Sequence, residues 1–321
     1  MILKRAVLGI VALAWATAPA LAQSCSLSLS SLNFGSIDII NGAGATTAGT
    51  FSAFCWGTPG RRIIICPNIG AGSGGVAGGG DPRHMANGAD KLAYNIFHPS
   101  GGAVWGSWLW PHPPRPPTFI ETLSSTWWFF GWFSRSWSMP AAIPAGQTGI
   151  AAGSYLSTFS STDVQIRYAY YTPGMTCDTL SGAKSATASF SVSATVQPAC
   201  AVSATNMNFG TAGMLGANID ASNTITVTCT KGTSYRVSLS QGGGGGGPGD
   251  RRMSGPGGQQ VVYGIYRDAA RTLPWGTSAS NNQPGVGNGA AQTLTAYGRV
   301  PPQPTPQPGV YSDYIVVTVS Y

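Results

Sequence analysis

Apolar and polar residues alternate with a period of two along much of the chain. The clearest segments are TITVTCT (224–230), YRVSLS (235–240), VVYGIY (261–266) and YIVVTVSY (314–321). Turns rich in Gly, Pro and Asn separate them, and no run of ten or more residues follows the 3.6-residue period of an amphipathic helix. The pattern therefore predicts an all-β protein, and the recurrence of short strands favours two β-sandwiches in tandem.

Internal repetition supports the division into two domains. CSLSLSSLNFG begins at Cys25 and CAVSATNMNFG begins at Cys200, so each copy has a cysteine, an alternating strand and Asn-Phe-Gly. A second matching pair is KLAYNIFHPSGGAVWG (91–106) and QVVYGIYRDAARTLPWG (260–276). The repeat predicts three parts, which are an N-terminal domain at residues 23–185, a connecting segment at residues 186–199 and a C-terminal domain at residues 200–321.

The first 22 residues have the composition of a secretory signal peptide. Lys4 and Arg5 precede an apolar run, and Ala20-Leu21-Ala22 supplies small residues for cleavage. A membrane anchor is the alternative interpretation. The apolar run between Arg5 and Pro19 is short for a span, which needs about 20 residues. The sequence therefore predicts an exported chain that starts near Gln23.

All six cysteines follow the predicted cleavage site. An even number of cysteines in an exported chain indicates disulfide bonds. The repeat makes Cys25–Cys55 the counterpart of Cys200–Cys229, which leaves Cys66 to pair with Cys177. No two cysteines have the Cys-x-x-Cys spacing of a zinc or redox site, so we expect no metal.

Charge and residue pattern exclude several functions. Only 8% of the residues are charged, and the formal net charge is +7. The basic residues are scattered, whereas a nucleic-acid-binding protein would carry a basic stripe, so we expect no nucleic-acid partner. The histidines lack metal-ligand spacing, and the acidic residues form no catalytic pair. We therefore expect neither an enzyme nor a cofactor.

Four features together resemble the spore coat protein U domain of archaic chaperone-usher, Csu-type, secreted pilins and tip adhesins. They are Cys25 with Asn33-Phe34-Gly35, Cys200 with Asn208-Phe209-Gly210, YGIYRDAARTLPWG, and the terminal GVYSDYIVVTVSY. The second copy matches nearly throughout, whereas the first is heavily modified between residues 107 and 140. The resemblance implies two tandem immunoglobulin-like, pilin-type β-sandwiches, of which the second lacks one strand.

The resemblance also implies a set of partners. A donor strand of the next pilin subunit would complete the second domain through main-chain hydrogen bonds. Before that step, a periplasmic pilus chaperone would occupy the same groove, and an outer-membrane usher would export the subunit. The implied location is the cell surface, reached through the periplasm.

The connecting segment has the alternation of a donor strand. One face carries Ala188, Phe190, Val192, Ala194 and Val196. Because the segment joins the two domains, we expect it to complete the first domain in cis; an ordinary final strand followed by a linker is the alternative. The predicted cleavage leaves only Gln23 and Ser24 before Cys25, which is too short to complete another subunit. Such a chain accepts a donor strand without giving one, and is expected at the pilus tip.

The modified part of the first copy is rich in aromatic residues. Seven of the ten tryptophans lie between residues 105 and 137, and core packing accounts for Trp105, which matches Trp275, but not for the other six. The dense run is too short for a membrane span and contains Arg135. An enlarged core is one alternative, and exposed loops at the end of the domain are favoured because prolines hold this segment extended. The candidate surface-binding residues are Trp105, Trp108, Trp110, Trp127, Trp128, Phe129, Phe130, Trp132, Phe133 and Trp137.

The sequence thus predicts a two-domain tip adhesin that mediates attachment and biofilm formation through exposed hydrophobic loops. Its target would be a hydrophobic surface or a host cell. A structural pilin or spore-coat-like secreted protein is one alternative, and a carbohydrate-binding tip subunit is another, since aromatic rings also stack on sugars. The polar side chains near the segment that could bind sugar hydroxyls are Asn95, His98, His112, Glu121 and Arg135.

Overall fold

The computed structural model describes residues 22–42, 44–78, 80–111, 113–127, 130–180 and 182–321, with the main chain alone for residues 125–127. Residues 1–21 of the predicted signal peptide lie outside the described residues. In the described part, strands account for the secondary structure together with two single-turn 3-10 helices, Ser161–Asp163 and Pro256–Gly258. The prediction of an all-β fold is confirmed. Across the same residues, no helix has the length and apolar character of a membrane span.

The N-terminal domain contains β1 to β13. Their bounds are β1 (Ser24–Leu29), β2 (Leu32–Ile37), β3 (Ala45–Gly57), β4 (Arg62–Ile69), β5 (Arg83–Asn87), β6 (Asp90–Ile96), β7 (Phe119–Thr122), β8 (Ser124–Trp127), β9 (Phe130–Ile143), β10 (Gly153–Phe159), β11 (Val164–Tyr170), β12 (Lys184–Thr187) and β13 (Phe190–Val196). One sheet has the order β1-β3-β9-β6-β5-β10-β13-β2, with β8 paired to β9. The other has the order β12-β11-β4-β7. The alternating apolar residues of both sheets form one shared core.

The C-terminal domain contains β14 to β21. Their bounds are β14 (Cys200–Ala204), β15 (Ile219–Cys229), β16 (Ser234–Leu239), β17 (Arg251–Ser254), β18 (Gln260–Tyr266), β19 (Gln283–Val286), β20 (Ala291–Val300) and β21 (Val317–Ser320). One sheet has the order β14-β15-β20-β18-β17 and the other has the order β19-β16-β21. A second, separate core lies between these sheets.

A buried arginine holds a buried tryptophan in each domain. In the N-terminal domain, Arg83 Nη2 donates to the carbonyl oxygen of Trp105 at 2.6 Å, and Trp105 Nε1 donates to that of Pro67 at 3.0 Å. Arg251 and Trp275 form the same bond at 2.6 Å in the C-terminal domain. Burial lowers the pKa of Arg83 to about 10, so the guanidinium is still charged at neutral pH. The carbonyl groups that accept its hydrogen bonds stabilise this buried charge.

The described residues contain three disulfide bonds, two within the N-terminal domain and one within the C-terminal domain. Cys25–Cys55 links β1 to β3, and Cys200–Cys229 links β14 to β15 at the corresponding position. Cys66–Cys177 has no counterpart in the second domain. It anchors the loop after β11 to β4, on the outer face of the smaller sheet, where Ile64 and Leu180 form a small apolar cluster with Cys66.

The last strand of the N-terminal domain lies inside its larger sheet. β13, from the connecting segment, pairs antiparallel with β10 from Gly153↔Val196 to Phe159↔Phe190, and parallel with β2. Its apolar residues are buried in the core, and the Phe190 ring stacks on Phe159 with centroids 4.5 Å apart. The chain between the two domains therefore supplies a strand to the first of them.

The two domains contact each other near the start of β6. Lys231 Nζ lies 2.6 Å from Asp90 Oδ1, and the main chain of Lys231 forms a parallel bridge with Ala151. The hydrogen bond from Lys231 lowers the pKa of Asp90. Lys231 lies in the turn between β15 and β16, so this end of the C-terminal domain faces the N-terminal domain.

Cys66–Cys177 is expected to contribute more to stability than Cys25–Cys55. Cys66–Cys177 closes a loop with a sequence separation of 111, against 30 for Cys25–Cys55. Because the loop is longer, replacing both Cys66 and Cys177 by Ala should lower the free energy of unfolding by roughly 5 kcal/mol, and replacing Cys25 and Cys55 by roughly 3.5 kcal/mol. Urea unfolding followed by tryptophan fluorescence measures both losses. A smaller loss for the Cys66–Cys177 pair than for the Cys25–Cys55 pair would contradict the prediction.

Candidate functional site

Three of the ten candidate aromatic residues are buried. Trp105 has no exposed surface, and Trp110 and Phe133 are each 6% exposed. The Trp105 ring meets Phe51 edge-on at 5.6 Å within the core. The prediction of surface contact is therefore wrong for these three side chains, because each fills space between or beside the sheets.

Two further tryptophans are partly covered by neighbouring side chains. Trp137 stacks on Phe119 with ring centroids 4.4 Å apart. Trp108 lies under the guanidinium of Arg167, whose Cζ is 4.3 Å from the ring centroid. Trp128 and Phe129 lie outside the described residues, as does the side chain of Trp127. Of the ten, Phe130 and Trp132 are the described side chains with large exposed fractions, 49% and 43%.

These two rings belong to an exposed group of four, which we call the aromatic patch. Its members are Phe54, Trp56, Phe130 and Trp132. Phe54 and Trp132 have ring centroids 6.1 Å apart, and Trp56 and Phe130 have centroids 6.4 Å apart. The exposed rings therefore lie together on one surface.

Strand geometry explains why the patch forms. β3 and β9 pair from Ala45↔Ile143 to Gly57↔Gly131, and Trp56 lies opposite Trp132. Side chains at alternate positions of a strand point to opposite faces. Cys55 faces the core, so Phe54 and Trp56 face solvent. The expectation of exposed loops is corrected for Phe130 and Trp132, since both lie on β9.

Sequence reasoning missed Phe54 and Trp56, although the chain contained a signal for them. The segment AFCWG places each ring next to Cys55, which is fully buried in its disulfide. A residue beside an inward-facing cysteine in a strand faces outward. This alternation lies outside the dense aromatic run that begins after residue 124.

An ion pair near the patch joins β9 of the larger sheet to β7 of the smaller sheet. Arg135 Nε lies 3.5 Å from Glu121 Oε2, and the two side chains are 63% and 24% exposed. An exposed pair of this kind contributes at most about 1 kcal/mol to stability. Further along the same strands, Ser52 and Ser136 share a hydrogen bond with their hydroxyl oxygens 2.8 Å apart. The outer face thus changes from hydroxyl groups to aromatic rings towards the end of the domain.

The C-terminal domain has a second candidate site, an open groove. Residues 207–212 correspond to β2 and residues 309–315 correspond to β10, yet both stretches lie outside the strands of the described structure. One isolated bridge, Ser254↔Ser312, matches the contact Ala86↔Leu156 of the first domain. No described strand occupies the position that β13 holds in the N-terminal domain.

Two adjoining cavities occupy that position. Their volumes are about 600 and 490 Å³. Both are lined by Met207, Phe209, Met253 and Tyr311. The apolar lining and the unpaired main chain on either side are the two features that an added β-strand requires.

Asp313 lies in the wall of this groove. Its Oδ2 accepts a hydrogen bond from Tyr263 Oη at 2.7 Å, and its Oδ1 accepts one from the main-chain N of Gly243 at 2.7 Å. Burial, together with the Asp313 carboxylate, raises the pKa of Tyr263. The corresponding position in the first domain is Ser157, which accepts a hydrogen bond from Gly74 N at 3.2 Å. Asp313 thus ties the unpaired stretch to the glycine-rich loop.

The described side chains offer no metal site. Among them, no group of three or more His, Cys, Asp or Glu residues is arranged to hold an ion.

Comparison with known proteins agrees with this arrangement. The family model described as the Spore Coat Protein U domain matches residues 11–162 and again residues 186–318. The chain belongs to the spore coat protein U domain family. Two matched regions in one chain agree with the two cores of the structure.

Two relatives extend the comparison. Protein U of Myxococcus xanthus is 28% identical over 155 residues, which cover 43% of this chain and 87% of that protein. A chain of the CsuC–CsuE chaperone–tip adhesion subunit pre-assembly complex, from the archaic chaperone-usher Csu pili of Acinetobacter baumannii, has a TM-score of 0.53 and 16% identity. That match covers 93% of this chain and 100% of the other. The fold is therefore of the type found in chaperone-usher pilus subunits.

The difference between buried and exposed aromatic residues can be tested. Trp105→Ala should lower the free energy of unfolding by about 3 to 5 kcal/mol, because it removes a fully buried ring. Phe130→Ser and Trp132→Ser should each cost about 1 kcal/mol or less, since half of each ring is already in water. Urea unfolding gives the three values. A loss at Phe130 or Trp132 as large as the loss at Trp105 would place these rings in the core.

Proposed function

We propose that this chain is the tip adhesin of a chaperone-usher pilus. Its N-terminal domain attaches to hydrophobic surfaces through the aromatic patch and so promotes biofilm formation. Its C-terminal domain accepts the donor strand of the next subunit. The observation that carries the proposal is the contrast between the two domains, since one is filled by its own β13 and the other has an open groove at the same position.

The orientation of the domains supports the tip position. The C-terminal domain meets its neighbour at the turn that contains Lys231. In the N-terminal domain, the corresponding turn follows Trp56 and lies beside the aromatic patch. β9 runs from this patch to Ile143, near the contact with the C-terminal domain, over about 40 Å. The patch is therefore at the end of the molecule that faces away from the second domain.

The residues at the two corresponding ends differ in size. By the pairing of β15 with β20, the positions of Phe54, Trp56 and Trp132 correspond to Thr228, Thr230 and Gly289. A side chain at Gly289 would clash with the N-terminal domain. Small residues thus allow close contact between domains, whereas large aromatic residues occupy the end that has no neighbour among the described residues.

The driving force of the aromatic patch is sufficient for attachment. With about 200 Å² per ring, the exposed fractions leave about 350 Å² of apolar surface. Its removal from water would contribute roughly 9 kcal/mol before ordering costs are subtracted. An area of this size is within the range of the largest apolar patch on a typical monomer, which often has a function. Many pili on one cell would multiply the effect.

The proposed partners follow from the groove. A periplasmic chaperone would fill it first, an outer-membrane usher would then pass the subunit through, and the donor strand of the next pilin would replace the chaperone. The support is the apolar lining of the groove, the position of residues 207–212 and 309–315 outside the strands, and the fold shared with a chaperone–tip adhesion subunit complex.

Surface attachment can be measured directly. The chain, purified with its chaperone, should be retained on polystyrene, and the double variant Phe130→Ser, Trp132→Ser should lose most of that retention, because half of the patch is removed. The matched control is Leu109→Ser, Leu156→Ser, which replaces two side chains of the same domain that are 50% and 47% exposed away from the patch. Equal retention of the two folded variants would disprove the role of the patch, and a glycan array would then test sugar binding.

The acceptor groove can be tested separately. Ile315→Arg removes an apolar side chain from the partly buried lining and puts a bulky, charged one where an added strand would pack, so chaperone recovered with the chain should fall by about tenfold. The control Thr318→Arg adds the same charge at an exposed position of β21 and should leave recovery unchanged. Co-purification followed by densitometry measures the ratio. The groove is not the chaperone site if Ile315→Arg retains the chaperone.

A further inference from the structure

Serine hydroxyl groups share the sheet face that carries the aromatic patch. β1 pairs with β3 and β3 pairs with β9, so the three strands form one continuous surface. In β3, Phe51, Ala53 and Cys55 are buried in the core, and the residues between them therefore point to the outer face. Residues of β1 and β9 that lie directly opposite these outward residues share the same face.

The register places hydroxyl groups directly beside the rings. Ser26 of β1 lies opposite Phe54, and Phe54 lies opposite Ser134 of β9. The next outward position of each strand again carries a serine. We call these residues together the serine array: Ser26, Ser28, Ser52, Ser134 and Ser136. Ser52 is half-buried and the others are exposed, so rings and hydroxyl groups are neighbours on one regular surface.

The outer face of β1, β3 and β9 has no charge. The three strands together contain one charged residue, Arg135. Because Arg135 follows Ser134 along β9, its side chain takes the opposite face, where Nε lies 3.5 Å from Glu121 Oε2 of β7. An ionic partner on the neutral face would lose water without gaining a counter-charge. Charge complementarity therefore selects an uncharged partner.

A polysaccharide has the chemistry that this surface fits. Each pyranose ring exposes C–H groups on its faces and hydroxyl groups around its edge. The C–H groups pack against aromatic rings, whose faces carry negative partial charge, and the contact removes apolar surface from water. A serine hydroxyl donates one hydrogen bond and accepts two, as a sugar hydroxyl does, so the two can pair in either direction. An inert hydrocarbon surface would satisfy the rings and leave the serines without hydrogen bonds.

The combined surface is larger than one sugar ring. From Ser52 to Trp56 it extends about 14 Å along β3, and from β1 to β9 it extends about 10 Å across the strands. A single monosaccharide covers one aromatic ring, whereas a polymer covers rings and hydroxyl groups together. Equatorial linkages hold successive pyranose rings in a flat ribbon with its C–H faces exposed, so a β-linked glucan fits this surface best.

We propose that the aromatic patch and the serine array together bind the surface of an insoluble, uncharged, β-linked polysaccharide such as cellulose. The inference rests on the proposed function, because it uses the patch as the attachment surface and names its target. The rings stack on pyranose faces, and the serines form hydrogen bonds with the hydroxyl groups of the same or the adjoining glucan chain.

Sedimentation with microcrystalline cellulose tests the proposal on the full chain with its chaperone. We expect the chain to remain bound from roughly 0.1 to 1 M salt, because the contact involves no charge. Starch granules of equal surface area are the control, since their α-linked glucan coils and does not present a flat C–H face. They should retain at least about tenfold less protein, which two or three fewer hydrogen bonds would account for. Equal binding to both materials, or release from cellulose at high salt, would overturn the proposal.

Variants separate the serines from the rings. Ser26→Ala with Ser134→Ala should weaken binding to cellulose by about tenfold, or about threefold for each hydrogen bond, and leave retention on polystyrene unchanged. The matched control is Ser222→Ala with Ser234→Ala, two exposed strand serines of the C-terminal domain, which should leave both readouts unchanged. Equal weakening by the two pairs, or by neither, would overturn the role of the serine array.

The two proposals can fail independently. Retention on polystyrene without binding to cellulose overturns the polysaccharide target and leaves the attachment surface intact. A folded chain that binds neither plastic nor cellulose overturns both. Circular dichroism and tryptophan fluorescence establish folding of each variant before the comparison.

Discussion

The structure depends on the need to pair every main-chain hydrogen-bonding group inside a β-sandwich. An unpaired edge next to an apolar core costs free energy, because the peptide groups lose water without gaining a partner. In the N-terminal domain, β13 meets this need by pairing with β10 on one side and β2 on the other. In the C-terminal domain, the same two stretches have no such strand between them in the described residues, and cavities lie in its place. One sequence pattern therefore produces a filled domain and an open one.

The two domains share their internal packing but differ at their surfaces. Arg83 with Trp105 and Arg251 with Trp275 form the same buried hydrogen bond, so this contact belongs to the common fold. The N-terminal domain adds a loop fastened by Cys66–Cys177 and pairs β3 with β9 over a longer stretch than β15 with β20. This extension holds the aromatic patch on rigid strands. Fixed rings lose little conformational entropy on contact, which would favour the proposed attachment.

The functional proposal follows from the positions of these two features in one molecule. The open groove lies in the C-terminal domain. The aromatic patch lies at the end of the N-terminal domain that faces away from it, about 40 Å along β9. A subunit with this arrangement can be held by a fibre at one end and exposed to a surface at the other.

The sequence by itself determined the all-β class, the family and the duplication, because these depend on local alternation and on short motifs such as Asn33-Phe34-Gly35 and its repeat. It also indicated that the first copy is modified between residues 107 and 140. Only the tertiary structure decided which aromatic rings are exposed. Trp105 and Trp132 are both tryptophans in the same aromatic region, yet one has no exposed surface and the other is 43% exposed. The difference depends on which strand lies opposite and which face each side chain takes, and these are properties of long-range pairing that composition does not encode.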